Sequence, residues 1–226
     1  HISTMEPVAS QEMCAFCFDV LSAELEGAPQ PTPRDFPADS ECPLFVTFNT
    51  LDGGGVRLRG CIGTLSPTPL SSLADYTHRS AFQDRRFEPI SARELSSLQC
   101  AVSLLVKYED CRDAFDWEIG THGILIEFHD ASGRRYSATF LPEVAKEQGW
   151  DHRQTLQSLV RKAGYERKLT DAQLAGISTT RYQSSKMAMT YEEFLALRRG
   201  GGSGRSSGSA LSAAADDAAG SRGGGR

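Results

Sequence analysis

Two β-rich runs, "LFVTFNTL" at 44–51 and "VRLRGCIGTL" at 56–65, flank "DGGG" at 52–55. Strand-forming residues that break at a glycine turn and then resume leave the chain one economical option, an antiparallel hairpin. The pattern recurs in "HGILIEFHDASGRRYSATFL", 122–141, around a turn at Asp130–Gly133. "LQCAVSLLVKY" at 98–108 and "ISTTRYQSSKMAMT" at 177–190 read as further strands. Hairpins, rather than strands alternating regularly with helices, predict an α+β fold with antiparallel pairing.

The helical segments carry a different period. In "EMCAFCFDVLSAEL", 12–25, apolar side chains recur at Met13, Phe16, Cys17, Val20 and Leu21, one face of a helix. Leu70, Leu73, Ala74, Thr77 and Ala81 mark a second helix, opened by Pro67 and Pro69, and a short helix is expected within 83–95. Pro142 fits a first helical turn before "PEVAKEQ". Asp151 with Gln154 forms a capping box ahead of "LQSLVRKAG", and Thr190 with Glu193 forms another ahead of "YEEFLALRR". Five prolines make 27–43 a long connector. Residues 11–199 are expected to fold as one domain, with 1–10 a tag or flexible arm. The stretch 200–226, almost entirely Gly, Ser, Ala, Arg and Asp, is expected to be a disordered tail.

Charge and composition narrow the function classes. A net charge of −5, with basic residues scattered among more numerous acids, disfavours nucleic-acid binding. No 18-residue apolar run suggests a membrane span, and no charged segment followed by an apolar stretch suggests a leader. An intracellular compartment, cytoplasm or nucleus, is the expectation. The six cysteines are then free thiols rather than a disulfide framework. Dinucleotide, P-loop, zincin and nucleophile-elbow motifs are absent from the sequence.

The chemistry-bearing stretch is "LRGCIG", Leu58–Gly63. Strand parity puts Arg59, Cys61, Gly63 and Leu65 on one side, and Leu58, Gly60, Ile62 and Thr64 on the other. An arginine beside a thiol favours the thiolate, and glycines let a backbone or ligand come close. The plain alternative is a packed thiol, an arginine paired with an acid, and glycines marking a bulge. His122 reads either as an acid–base partner for Cys61 or as a structural histidine on an apolar strand. "QDRRFEPI", 83–90, places Asp84, Arg85 and Arg86 among aromatic anchors, like the rim of a cleft or a salt-bridged connector. Cys14 and Cys17 lack a second pair for zinc and read as core, so no metal site is assigned.

The series "EMCAFCFDVL", "PLFVTF", "LRGCIG", "DRRFEPI", "DWEIGTHGILIEF", "ATFLPEVAKEQGWD" and "TRYQSSK" resembles the AMMECR-one family from about residue 11 to 197. That resemblance implies two unequal α+β lobes, each with its own antiparallel sheet and helices. The larger lobe would hold both termini, with the hexapeptide facing a cleft between the lobes. Arg59 and Cys61 are then expected to contact the ligand, with Leu58, Gly60, Ile62 and Gly63 of the hexapeptide beside them and Asp84, Arg86 and His122 as further candidates. No cofactor is expected, and the resemblance points to a link with MEMO-type proteins. It supplies no activity. The expectation is therefore a cleft protein that binds a protein or small-molecule ligand, as adaptor or regulator. The alternative is an enzyme with Cys61 as nucleophile, Arg59 as its charge partner and His122 as acid–base group. Nucleic-acid binding is the weakest reading.

Overall fold

Helix α1 spans Gln11–Glu26 in the computed structural model, which describes residues 6–200. Its start is fixed by Ser10, whose side chain accepts a hydrogen bond from the Met13 N–H. The predicted stripe is buried, but so are Cys14, Ala15 and Phe18, because the sheet and two later helices, at 73–82 and 191–200, all pack against this helix. Residues 6–10, expected as part of a flexible arm, are docked. The Ala9 N–H donates to Ser185 Oγ at 3.0 Å, and Glu6 Oε1 accepts from the Lys107 N–H at 3.0 Å. The expected tail lies beyond the described residues, apart from Gly200.

The first hairpin is β1 (Glu41–Asp52) and β2 (Gly55–Pro69), joined across Gly53 and Gly54. Pro67 and Pro69 end β2 instead of opening a helix. β2 is an edge strand, where a missing N–H costs no ladder bond. A 3-10 turn at Leu70–Ser72 leads into α2 (Leu73–Phe82), and a second 3-10 turn covers Ala92–Ser97. Then come β3 (Leu98–Asp110), β4 (Gly123–His129), β5 (Arg135–Phe140), α3 (Pro142–Gln148) and α4 (His152–Lys162). A short α5 (Asp171–Ala175), β6 (Ser178–Thr190) and α6 (Tyr191–Gly200) complete the chain. Both expected capping boxes form, at Asp151/Gln154 and at Thr190/Glu193.

The class is α+β, but the strands form one six-stranded antiparallel sheet, ordered β2-β1-β3-β6-β4-β5. This corrects the expectation of a separate sheet in each lobe. The reason is the length of β6. Its 13 residues pair with β3 along Thr180–Thr190 and with β4 along Ser178–Tyr182, so one strand joins what would otherwise be two sheets. Two hydrophobic clusters lie along this sheet. In the first, α1, α2 and Phe194 of α6 cover Leu44, Val46, Phe48, Val102 and Leu104. In the second, α4, Ala145 of α3 and Leu174 of α5 cover Ile124 and Ile126.

Candidate functional site

Along β1, Leu44, Val46 and Phe48 are wholly buried, while Phe45, Thr47 and Asn49 between them are half-buried. The odd-numbered residues therefore form the open face of the sheet. Thr47 is paired with Cys61 of β2 on one side and with Ala101 of β3 on the other. Beside them Asn49 Nδ2 donates to Gln99 Oε1 at 3.2 Å, and Ser103 is paired with Lys186.

Cys61 is half-buried, and its neighbours are fixed from three directions. The Thr47 hydroxyl donates to its Sγ at 3.2 Å. Its backbone N–H donates to Asp84 Oδ2 at 2.9 Å, and its carbonyl accepts from Arg86 Nη2 at 3.1 Å. Those two backbone groups therefore point away from β1. Cys61 and Thr47 are a non-hydrogen-bonded pair, the kind whose side chains lie closest. On the outer side, Asp84 and Arg86 stand in for a seventh strand at this point of the edge, accepting from N–H and donating to C=O. Exposed edges of this kind invite unwanted pairing unless covered.

Asp84 is 6% exposed and is placed by the turn that follows α2, where the Phe87 N–H returns to its carbonyl. Its carboxylate accepts from Arg86 Nε at 2.9 Å and Nη2 at 2.6 Å. The Arg86 hydrogen bonds hold the Asp84 carboxyl well below the usual range, against burial and with help from the Cys61 and Arg86 N–H groups. Asp84 is an anion committed to structure.

Arg59 does not turn to Cys61. The pairing steps from Phe48 with Gly60 to Asn49 with Leu58, leaving Arg59 as the extra residue of a β-bulge. Parity counts on an unbroken pleat, so the expected shared side for Arg59 and Cys61 is corrected here. Arg59 forks onto Glu94, Nε to Oε1 at 2.7 Å and Nη2 to Oε2 at 3.3 Å, and also donates to the Pro89 carbonyl at 3.3 Å. Burial works against the Glu94 charge, but the Arg59 and Ser91 hydrogen bonds outweigh it and hold the carboxyl below its usual range.

The two glycines of the hexapeptide leave room for the chain itself. A Cβ on Gly60 would lie 2.2 Å from the Ser80 carbonyl oxygen of α2. A Cβ on Gly63 would lie 2.3 Å from the Leu44 carbonyl oxygen and 2.3 Å from the Phe45 ring. Both Cβ positions are taken by the chain itself. Ile62 is partnered with Val46 of the core-facing set, and Leu58 is 43% exposed on the strand.

His122 precedes β4, and its Nδ1 accepts from the Glu118 N–H at 3.0 Å. From β2 to β4 is four strand spacings, about 19 Å. The structure does not bring His122 to Cys61. Cys14 and Cys17 are fully buried in the first cluster. Among the described residues, no three His, Cys, Asp or Glu side chains gather where a metal ion could sit, and no helix is long and apolar enough to cross a membrane. Sequence reasoning missed Thr47, Ser80 and Glu94. Only Glu94 had a local signal, its capping box with Ser91.

The chain is 48% identical over 191 residues to an uncharacterized protein of Arabidopsis thaliana, covering 83% of this chain and 88% of that one. A second uncharacterized relative, from Schizosaccharomyces pombe, is 45% identical over 190 residues, covering 82% of this chain and 95% of the other. A crystal structure of an uncharacterized protein from Pyrococcus horikoshii shares the fold. Its TM-score is 0.59 at 24% identity, with 78% of this chain and 89% of that chain covered. The AMMECR1 family model matches residues 14–187, most of the chain, so this protein belongs to the AMMECR1 family.

Proposed function

We propose that the chain is a non-catalytic binding module whose ligand, a protein segment or small molecule, lies on the open sheet face beside Cys61. The observation that carries this reading is the commitment of the charged groups around the thiol. Asp84 is bound by Arg86 and the Cys61 N–H, and Arg59 is bound by Glu94. A nucleophile needs an adjacent base or a charge free to respond to it, and both acid–base roles here are already taken. Thr47, Asn49, Gln99 and Ser103 offer a floor of small polar groups suited to hydrogen-bonding a ligand. The module works in a reducing intracellular compartment, and a MEMO-type protein is its first partner to try.

One observation favours the enzyme reading. The Thr47 hydroxyl donates to Cys61 Sγ, and the half-buried thiol remains reachable. Affinity capture with the wild-type, Cys61→Ser and Thr47→Arg chains separates the two readings. A binding module keeps its captured set with Cys61→Ser and loses it with Thr47→Arg. If Cys61→Ser loses the set with its unfolding midpoint unchanged, and Cys61 alkylates as fast at pH 6 as at pH 8, the enzyme reading takes over.

A further inference from the structure

A gathering of basic side chains lies on α4, over the second hydrophobic cluster. A cavity of about 860 Å³ opens between α4 and the loop that follows it. Arg153, Gln157 and Arg161 recur every four residues along one face of α4 and line one side. Arg167 and Lys168 line the other, and Trp150 stands at one end. Among the described residues the lining carries four cationic side chains and one acid, Glu166, in a chain whose net charge is −5.

The loop is held in place on both sides of its charges. Tyr165 packs edge-on against Phe128 and Tyr136, at 5.5 and 5.2 Å between ring centroids. Leu169 is buried in the second cluster, and its carbonyl accepts from Gln157 Nε2 at 2.9 Å. Residues 166–168 therefore bridge two anchors, and their side chains project from a fixed backbone over α4.

The bland explanation is a solvated basic face, with Arg161 complementing the C-terminal dipole of α4. It does not cover the rest. Arg167 and Lys168 are outside any helix. Among the described residues Arg161, Arg167 and Lys168 have no acidic partner, and Arg161 has only Ser158 Oγ at 3.4 Å. Like charges drawn around one cavity repel each other unless an anion joins them.

We propose that this cavity is a binding site for a phosphate-bearing ligand, with Arg161, Arg167 and Lys168 donating to its phosphoryl oxygens. Arginine forks suit phosphate geometry, and lysine adds a point charge. The volume lies within the range of sites for whole small ligands, so the phosphate arrives attached to something larger. Gln154, Gln157 and Ser158 also line the cavity, so the remainder would meet a polar wall. Two sources share this chemistry, a phosphorylated protein segment and a small phosphorylated molecule.

The test is calorimetric titration of the full chain with four probes: pyrophosphate, a phosphoserine peptide, its unphosphorylated twin, and a single-stranded oligonucleotide. Pyrophosphate or the phosphopeptide binds, and Arg161→Gln/Arg167→Gln weakens binding by about tenfold or more while leaving the unfolding midpoint in place. Glu166→Gln tightens it, by roughly twofold to fivefold, by removing the one repulsive charge. A phosphopeptide that binds much more tightly than pyrophosphate identifies a protein segment. Equal binding identifies a small phosphorylated molecule. The proposal is overturned if neither phosphate probe binds at millimolar concentration, or if the double variant binds as well as wild type. It is also overturned if sulfate displaces both probes at equal concentration, or if the oligonucleotide outcompetes them with a steep salt dependence.

Discussion

Asp84 is the residue on which the surroundings of Cys61 turn. It joins the edge of the sheet to the loop after α2, and its partner Arg86 completes the join. Because its folded carboxyl is held below the unfolded value, the stability it provides is present above about pH 4 and is lost as pH falls through the folded value. Asp84→Asn is expected to cost about 1–3 kcal/mol at pH 7, read as a lower urea midpoint. The gap to wild type narrows below pH 4. A gap that stays constant with pH would mean the carboxylate charge is not the source. Gly60→Ala drives a methyl into the Ser80 carbonyl, and a destabilisation of about 1–3 kcal/mol is expected by thermal unfolding, with α2 displaced from the hairpin. Thiol reactivity follows burial. In the folded chain Cys61 and Cys111 are expected to alkylate first, while Cys14, Cys17, Cys42 and Cys100 wait for unfolding. Mass spectrometry of a timed iodoacetamide reaction reads the order.

At the scale of elements, the local signals were the legible ones. Glycine turns, the capping boxes at Asp151 and Thr190 and the stripe on α1 fixed where strands and helices begin. Asp151→Ala should cost about 1 kcal/mol, measured in urea, because it frees the Gln154 N–H of the first turn. Two elements were misread for identifiable reasons. Pro67 and Pro69 look like helix openers, yet an edge strand accepts them, and edge position is decided by partners distant in sequence. The short α5 was passed over although Thr170 and Gln173 cap it reciprocally, since five residues carry too little periodicity to register. The glycines of "LRGCIG" allowed a bulge and its arginine allowed an acidic partner, but only as the plain alternative. One extra residue against β1 is what sends Arg59 to Glu94, and that is settled by the pairing with β1.

For the whole molecule, one sheet serves two hydrophobic clusters, and β6 takes part in the pairing beneath both. Breaking β6 strips the partner from β3 and β4 together, so the clusters are expected to unfold in a single transition. Phe48→Ala in the first cluster and Leu156→Ala in the second should each lower that one transition, by about 3–5 and 2–5 kcal/mol. Calorimetry showing two peaks, with each variant moving only one, would mean the sheet does not couple them. The sequence by itself determined the antiparallel α+β class, the element positions and the choice of Cys61 and Asp84 as residues worth following. Those depend on periodicity, turns and caps, which act over a few residues. Tertiary structure alone decided that the two glycines are filled by Ser80 and Phe45, that Arg59 faces Glu94 and that His122 lies four strands from the thiol. It also decided that Arg161 and Arg167 share a cavity. Each of those facts rests on contacts made across strand order, bulges and loop anchoring, which no local stretch of chain specifies.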